Sequence, residues 1–198
     1  MTTFQKFLKR AFDLGVSFVG LLFLWWLIFL SALIARWDTG LSGFFTQTRV
    51  GKEGKLFRVI KIRSMRTIDG VVTTVTTDED MRISKIGKFL RKTKIDELPQ
   101  LWNVLIGQMS FVGPRPDVPG FADKLVGGDR LILSIRPGIT GPASVKFKKE
   151  EETLAQQPDP ESYNRQVIWP EKVRINLEYL NNWSLRKDVF YIFKTIFS

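Results

Sequence analysis

Residues 15–35 read GVSFVGLLFLWWLIFLSALIA, and this stretch decides how the rest of the chain is read. Its 21 residues carry no charge, enough as a helix to cover a hydrocarbon layer of about 30 Å. It exceeds the apolar region of a signal peptide, and no small-residue cleavage site of the A-x-A kind follows it. A buried core helix is the ordinary alternative, but core helices seldom run this long without a charge. Basic residues flank it on both sides: Lys6, Lys9 and Arg10 before, and Arg36, Arg49, Lys52 and Lys55 after. A spanning helix normally has one basic flank, so the symmetry predicts both ends on the cytoplasmic face, as in a re-entrant segment.

Beyond this segment the composition becomes that of a globular domain. The expected division is therefore a re-entrant membrane helix over 1–38 and a cytoplasmic, membrane-associated globular domain over 39–198. In all, 198 residues suffice for one real core, not two full domains. Thirty Lys and Arg against 20 Asp and Glu give a net charge of +10, which points to an anionic partner. A merely soluble basic surface would look the same. Cysteine and histidine are both missing, which excludes disulfides, thiolate metal sites and Cys or His catalysis. Nucleophilic or acid–base chemistry must run on Asp, Glu, Lys, Ser, Thr or Tyr.

Pattern places the elements. A turn at 39–43 leads into a short strand at 44–47. A hairpin-like turn at 52–55 then opens a strand over 56–65, in which Lys61 and Arg63 share a face. The β-branched run 71–77 is a strand or ordered loop. Residues 84–92 read as a helix with Ile86, Phe89 and Leu90 in a stripe. Leu98, Leu101, Trp102 and Leu105 recur at helical spacing and predict an amphipathic helix that Gly107 ends. The charged segment 148–161 reads as an exposed loop with some helix. Two helices follow, over 171–180 and 185–197, the second strongly aromatic.

Two clusters carry chemistry. In Arg91-Lys92-Thr93-Lys94-Ile95-Asp96-Glu97-Leu98-Pro99, adjacent carboxylates open the amphipathic helix behind three cations. The positive end of a helix dipole favours their ionised form, fit for nucleophilic attack or metal binding. Simple helix capping would explain the same residues. In Gly113-Pro114-Arg115-Pro116, two prolines fix the backbone about an arginine suited to bidentate phosphate recognition. A rigid turn with a solvated arginine is the plainer alternative.

Taken in order, Lys9-Arg10-Ala11-Phe12-Asp13, Gln47-Thr48-Arg49-Val50-Gly51, Lys61-Ile62-Arg63-Ser64-Met65 and Asp96-Glu97-Leu98-Pro99-Gln100-Leu101-Trp102-Asn103 form a series. It continues through Met109-Ser110-Phe111-Val112-Gly113-Pro114-Arg115-Pro116, Arg136-Pro137-Gly138-Ile139-Thr140-Gly141, and Tyr179-Leu180-Asn181-Asn182-Trp183-Ser184 with Asp188. The series resembles the small monotopic phosphoglycosyl transferases, the bacterial sugar transferase family, over nearly the whole chain. The resemblance implies an α/β fold with a small sheet, surrounding helices, an N-terminal re-entrant membrane helix and amphipathic interfacial helices. Residues 131–136 and the aromatic C-terminal helix are the expected interfacial contacts. One departure stands out: Trp25-Trp26 occupy the place of the family's Ser-Pro pair, which bends the helix back. Ser17, Gly20 and Ser31 remain to help the bend.

The resemblance also implies a reaction. A sugar 1-phosphate passes from a UDP-sugar, expected to be an N-acetylated amino or diamino deoxysugar, to undecaprenyl phosphate, with release of UMP. Asp96 would be the nucleophile that forms an aspartyl-phosphosugar, and Glu97 its dyad partner. Both would hold Mg²⁺. Lys61, Arg63, Arg91, Arg115, Pro114 and Pro116 would contact the phosphates or nucleotide. The expected location is the cytoplasmic face of the bacterial inner membrane, among its lipids, with no nucleic acid as partner. Two other readings compete: a membrane glycosyltransferase that releases UDP, and a membrane-tethered basic adaptor without catalysis.

Overall fold

In the computed structural model, which describes residues 1–67 and 80–197, the apolar segment lies within one helix, α1 (Thr3–Thr39). Thr2 and Gln5 start it with a reciprocal capping box, and Gly40 ends it at φ 71°. No break interrupts α1 at Trp25-Trp26, so the bend of a re-entrant segment is not formed there. Lys9, Asp13, Ser17, Ile28, Ser31, Ala32 and Ala35 form one buried face along the helix, so both of its ends rest on the same domain. From Lys9 to Ala35 this is a contact about 39 Å long at the rise of an α-helix. The opposite face is apolar and exposed, including Phe18, Phe23, Trp25, Trp26 and Phe29.

The flanking cations also serve differently from expectation. Lys9 pairs with Asp188, and Arg10 donates to the carbonyls of Val104 and Leu105. Two of the three cations before the apolar run thus act inside the protein and say nothing about lipid.

After α1 the chain forms an antiparallel hairpin, β1 (Phe44–Val50) and β2 (Leu56–Ile62), with Phe45 opposite Lys61. Its tight connection puts Glu53 at φ 61°. The strand or ordered loop expected at 71–77 lies outside the described residues. Helix α2 (Lys85–Lys92) begins at Ser84, whose Oγ accepts from the Gly87 amide and donates to Asp38 at the end of α1. A 3₁₀ turn, Ile95–Glu97, precedes the short helix α3 (Gln100–Leu105). Then come β3 (Ser110–Val112) and, parallel to it, β4 (Gly138–Thr140). Helices α4 (Pro142–Lys146), α5 (Glu150–Ala155), α6 (Pro160–Tyr163), α7 (Trp169–Asn181) and α8 (Leu185–Phe197) complete the chain. The fold is mixed: helices around two small sheets, with the long apolar helix at the N-terminus.

Several stripe assignments need correction. Trp102 and Phe89 point outward, 49% and 59% exposed, although their spacing suggested burial. On α3 the buried residues are Gln100, Leu101, Asn103 and Val104. Residues 131–136 are no interfacial strip either. Ile132, Leu133 and Ile135 are core, and Arg136 bonds the Gly107 carbonyl at 2.7 Å. The aromatic α8 does present Phe190, Phe193, Ile196 and Phe197 outward.

Candidate active site

The Asp96-Glu97 pair sits in the 3₁₀ turn before α3, not inside that helix. Lys94 at φ 59° turns the chain sharply after α2, a left-handed conformation that costs a non-glycine residue about 1–2 kcal/mol. The turn is held from both sides. Ile95 and Leu98 pack against a cluster of Ile28, Ala32 and Ala35 of α1, Ile62 of β2 and Leu90 of α2. Asn103 then ties α3 to β2: its side-chain amide donates to Arg58 O at 2.8 Å and its oxygen accepts from Ile60 N at 3.1 Å. With that register fixed, the adjacent Lys61 reaches Glu97 Oε1 at 3.0 Å.

Arg115 approaches Glu97 Oε1 from the other side, at 2.7 Å. Close contact between the ends of β3 and β4 sets its place. A Cβ on Gly138 would lie 2.2 Å from Gly113 N, so only glycine permits the approach. The prolines act through their carbonyls: Pro114 accepts from Gly138 N at 2.8 Å, and Pro116 from Arg49 at 3.2 Å. They shape the arginine's support.

The two carboxylates therefore differ. Burial opposes ionisation of Glu97, but Arg115 and Lys61 outweigh it and hold that carboxyl well below the usual range. Glu97 in turn raises the Arg115 guanidinium. Asp96 goes the other way. Burial and the neighbouring Glu97 charge push its carboxyl up, against Lys61, Arg91 and Lys94. Desolvation outweighs any help from the short α3. Asp96 Oδ1 is buried and, among the described residues, has no hydrogen-bond partner. Leaving such an atom unpaired costs about 1–3 kcal/mol.

Of the residues singled out in the sequence, Lys61, Asp96, Glu97 and Arg115 come together. Arg91 adds positive potential to Asp96 but bonds Glu151 at 2.7 Å. Arg63 does not join them. It lies past the end of β2, donates to Ser42 O at 2.7 Å and covers the Phe45 ring. Sequence reasoning missed Arg49 and Gln100, which line a recess together with Val59, Lys61, Arg115 and Pro116. Arg49 lies in a quoted motif, and its proximity to Arg115 follows only from the fold. The role of Lys9, Tyr179, Trp183 and Asp188 was missed as well. Asp188 accepts from Lys9 at 2.6 Å, Tyr179 at 2.6 Å and Trp183 at 3.0 Å, clamping α1 to α7 and α8.

A carboxylate pair can offer hard oxygens to Mg²⁺, which usually takes one or two carboxylates plus substrate phosphates. The unpaired Asp96 oxygen suits such a shared site. Among the described residues, no cluster of three or more acidic side chains forms a cage made of protein alone.

Comparison with known proteins adds the following. A family model described as bacterial sugar transferase matches residues 4–198. UDP-glucose:undecaprenyl-phosphate glucose-1-phosphate transferase of Escherichia coli K12 is 36% identical over 98% of this chain and 40% of that protein. An exopolysaccharide production protein of Rhizobium leguminosarum bv. phaseoli is 38% identical, covering 96% of this chain and 94% of that protein. UDP-N-acetylgalactosamine-undecaprenyl-phosphate N-acetylgalactosaminephosphotransferase of Aeromonas hydrophila is 34% identical over 96% of this chain and 43% of its own length. The chain thus spans about two-fifths of the first and third relatives and nearly all of the second.

Proposed function

The chain belongs to the bacterial sugar transferase family, and from that premise we propose that it is a membrane-seated phosphoglycosyl transferase. It moves a sugar 1-phosphate from a UDP-sugar to undecaprenyl phosphate and releases UMP. The observation that carries the reading is the contrast within the dyad: Glu97 is doubly paired with cations, while Asp96 next to it keeps a buried oxygen free. A desolvated carboxylate without donors is a stronger nucleophile than a solvated one. Its Oδ attacks the sugar-linked phosphorus, the bond from that phosphorus to the UMP oxygen breaks, and UMP leaves. A phosphate oxygen of undecaprenyl phosphate then attacks the aspartyl-phosphosugar and frees Asp96.

Lys61 and Arg115 would neutralise the negative charge that builds on the transferring group, and both line a recess that also contains Arg49. Phosphoryl transfer needs mainly such positioning and charge neutralisation. Asp96 and Glu97 would hold Mg²⁺ together with the donor phosphates, and the ion would supply further neutralisation there. Asp96 and Glu97 stay rigid because Ile95 and Leu98 are anchored on either side.

The seat is monotopic, on the cytoplasmic face of the inner membrane. In support, one face of α1 follows the domain from Lys9 to Ala35 while the other is exposed and apolar. Trp102, Ile106 and the aromatic side of α8 extend the apolar surface. A helix fastened to a polar domain along this length would have to draw that domain into the bilayer in order to span.

The test uses detergent-solubilised protein, undecaprenyl phosphate, Mg²⁺ and a panel of UDP-sugars: glucose, galactose, N-acetylgalactosamine and N-acetylated diamino deoxysugars. UMP release that Asp96→Asn abolishes is the expected result. UDP release would instead establish a sugar-only transferase. Silence across the panel, with no phosphosugar adduct by intact mass, would leave the adaptor.

A further inference from the structure

A second recess lies on the other side of Arg115 from the dyad, and the steps above do not use it. Val50, Ile132, Leu133 and Ile135 line it, together with the charged Arg115 and Asp117. Arg115 belongs to both recesses and forms the wall between them. A ligand with phosphate against Arg115 would therefore lie at the edge of the recess that Asp117 lines.

Asp117 is half-buried, and its acceptors are open to a partner from outside the protein. Among the described residues, its carboxylate has no hydrogen bond. Lys172, Arg49 and Arg115 surround it electrostatically, yet each is engaged elsewhere. Lys172 bonds Glu150 at 2.6 Å, Arg115 bonds Glu97 at 2.7 Å, and Arg49 bonds Gln47 at 2.6 Å. The backbone holds the carboxylate in place, with Val50 N donating to Asp117 O at 2.9 Å. Burial pushes the carboxyl up to about 6 against those three cations, as befits a carboxylate whose oxygens lack partners. Another anion would be repelled here, and three cations already supply the positive charge. Hydroxyl groups meet the need: they are neutral, they donate, and in pairs they match the two oxygens of a carboxylate.

We propose that Asp117 binds hydroxyls of the phosphorylated donor, making it a substrate-recognition residue on the far side of Arg115 from the dyad. This rests on the reading that the donor is a UDP-sugar. Such a donor has hydroxyls at two places, the ribose and the transferred sugar.

The experiment compares wild type with Asp117→Asn, which keeps the shape and removes an unpaired charge. Two quantities are read: the affinity for UDP by calorimetry, and KM and kcat for the UDP-sugar that yields UMP in the panel. Loss of a hydrogen bond to a charged group predicts weakening of about tenfold or more. If UDP itself binds that much more weakly, and wild type discriminates likewise against 2′-deoxy- or 3′-deoxy-UDP, the ribose is the partner. If UDP affinity holds while KM for the UDP-sugar rises tenfold, the transferred sugar is the partner. In both cases kcat stays within about threefold, and the melting temperature does not fall. Unchanged UDP affinity and KM overturn the proposal, as does a fall in kcat alone. A wild type that binds no UDP and turns over no UDP-sugar sinks the donor reading and this proposal with it. An active wild type with an indifferent variant sinks only the role of Asp117.

Discussion

Two buried ionic clusters of this molecule invite comparison. Around Asp188, Lys9, Tyr179 and Trp183 all donate, and the carboxylate is satisfied on both oxygens. Around Asp96 and Glu97, one carboxylate takes two cations and the other keeps an oxygen without a donor. Both clusters centre on buried carboxylates with a lysine among their partners. Completeness separates them: a closed network holds helices together, whereas an open one has capacity left for something that arrives from outside.

Substitutions can break this contrast. The largest effect is expected for Asp96→Asn, which should lower UMP release by at least about a thousandfold with no loss of melting temperature. Removing a desolvated charge beside Glu97 should even stabilise the protein slightly, as functional sites often trade stability for activity. Asp188→Ala is the mirror image. It strands the Lys9 ammonium and should cost about 3–5 kcal/mol, read as a marked fall in melting temperature. Its remaining folded fraction should keep a near-normal kcat. If Asp188→Ala abolished turnover at full stability, the division between the clusters would fail.

Arg115→Lys sharpens the comparison from within the open cluster. A lysine replaces a rigid fork with a mobile point charge and should lose about a hundredfold in kcat/KM, measured by UMP release. The smallest effect concerns pH. Native Asp117 titrates at about 6 and its unperturbed value is 3.8, so the folded state holds more protons between these values. The ionised carboxylate therefore penalises the fold above about pH 6, and the penalty fades as pH falls towards 4. Its surroundings are Lys172, Arg49, Arg115 and Glu150. Asp117→Asn should raise the melting temperature by a few degrees at pH 8 and leave it unchanged at pH 4. A shift of equal size at both values would contradict this sign.

The two clusters were unequally legible in the sequence. Asp96, Glu97, Lys61 and Arg115 belong to local motifs whose residue types already suggest phosphate chemistry. Lys9 and Asp188 lie 179 positions apart, and no local pattern announces that they meet. Lys9 stands among flanking cations and reads as a lipid contact until the fold buries it. Local periodicity placed α2, α7 and α8 well. It failed for Trp102 and Phe89 because it equates apolar with inward, a rule that assumes water on every outer face. Residues 131–136 erred in the opposite direction: the run was expected at a membrane interface, while Ile132, Leu133 and Ile135 fill the core. Arg63 shares strand parity with Lys61 but lies beyond the last paired residue of β2, and its guanidinium turns to Ser42 O and the Phe45 ring instead of Glu97.

Ile95 and Leu98 straddle Asp96 and Glu97 and rest on Ile28, Ala32 and Ala35. The expected boundary at 38/39 cuts through the last turn of α1, and the shared core runs across it. Trimming the apolar helix to obtain a water-soluble protein would thus remove the floor beneath the proposed nucleophile. Amphiphiles that tug on the helix should alter turnover before any unfolding can be seen. On the proposed reading, whatever surrounds that helix becomes a silent part of the scaffold of the site.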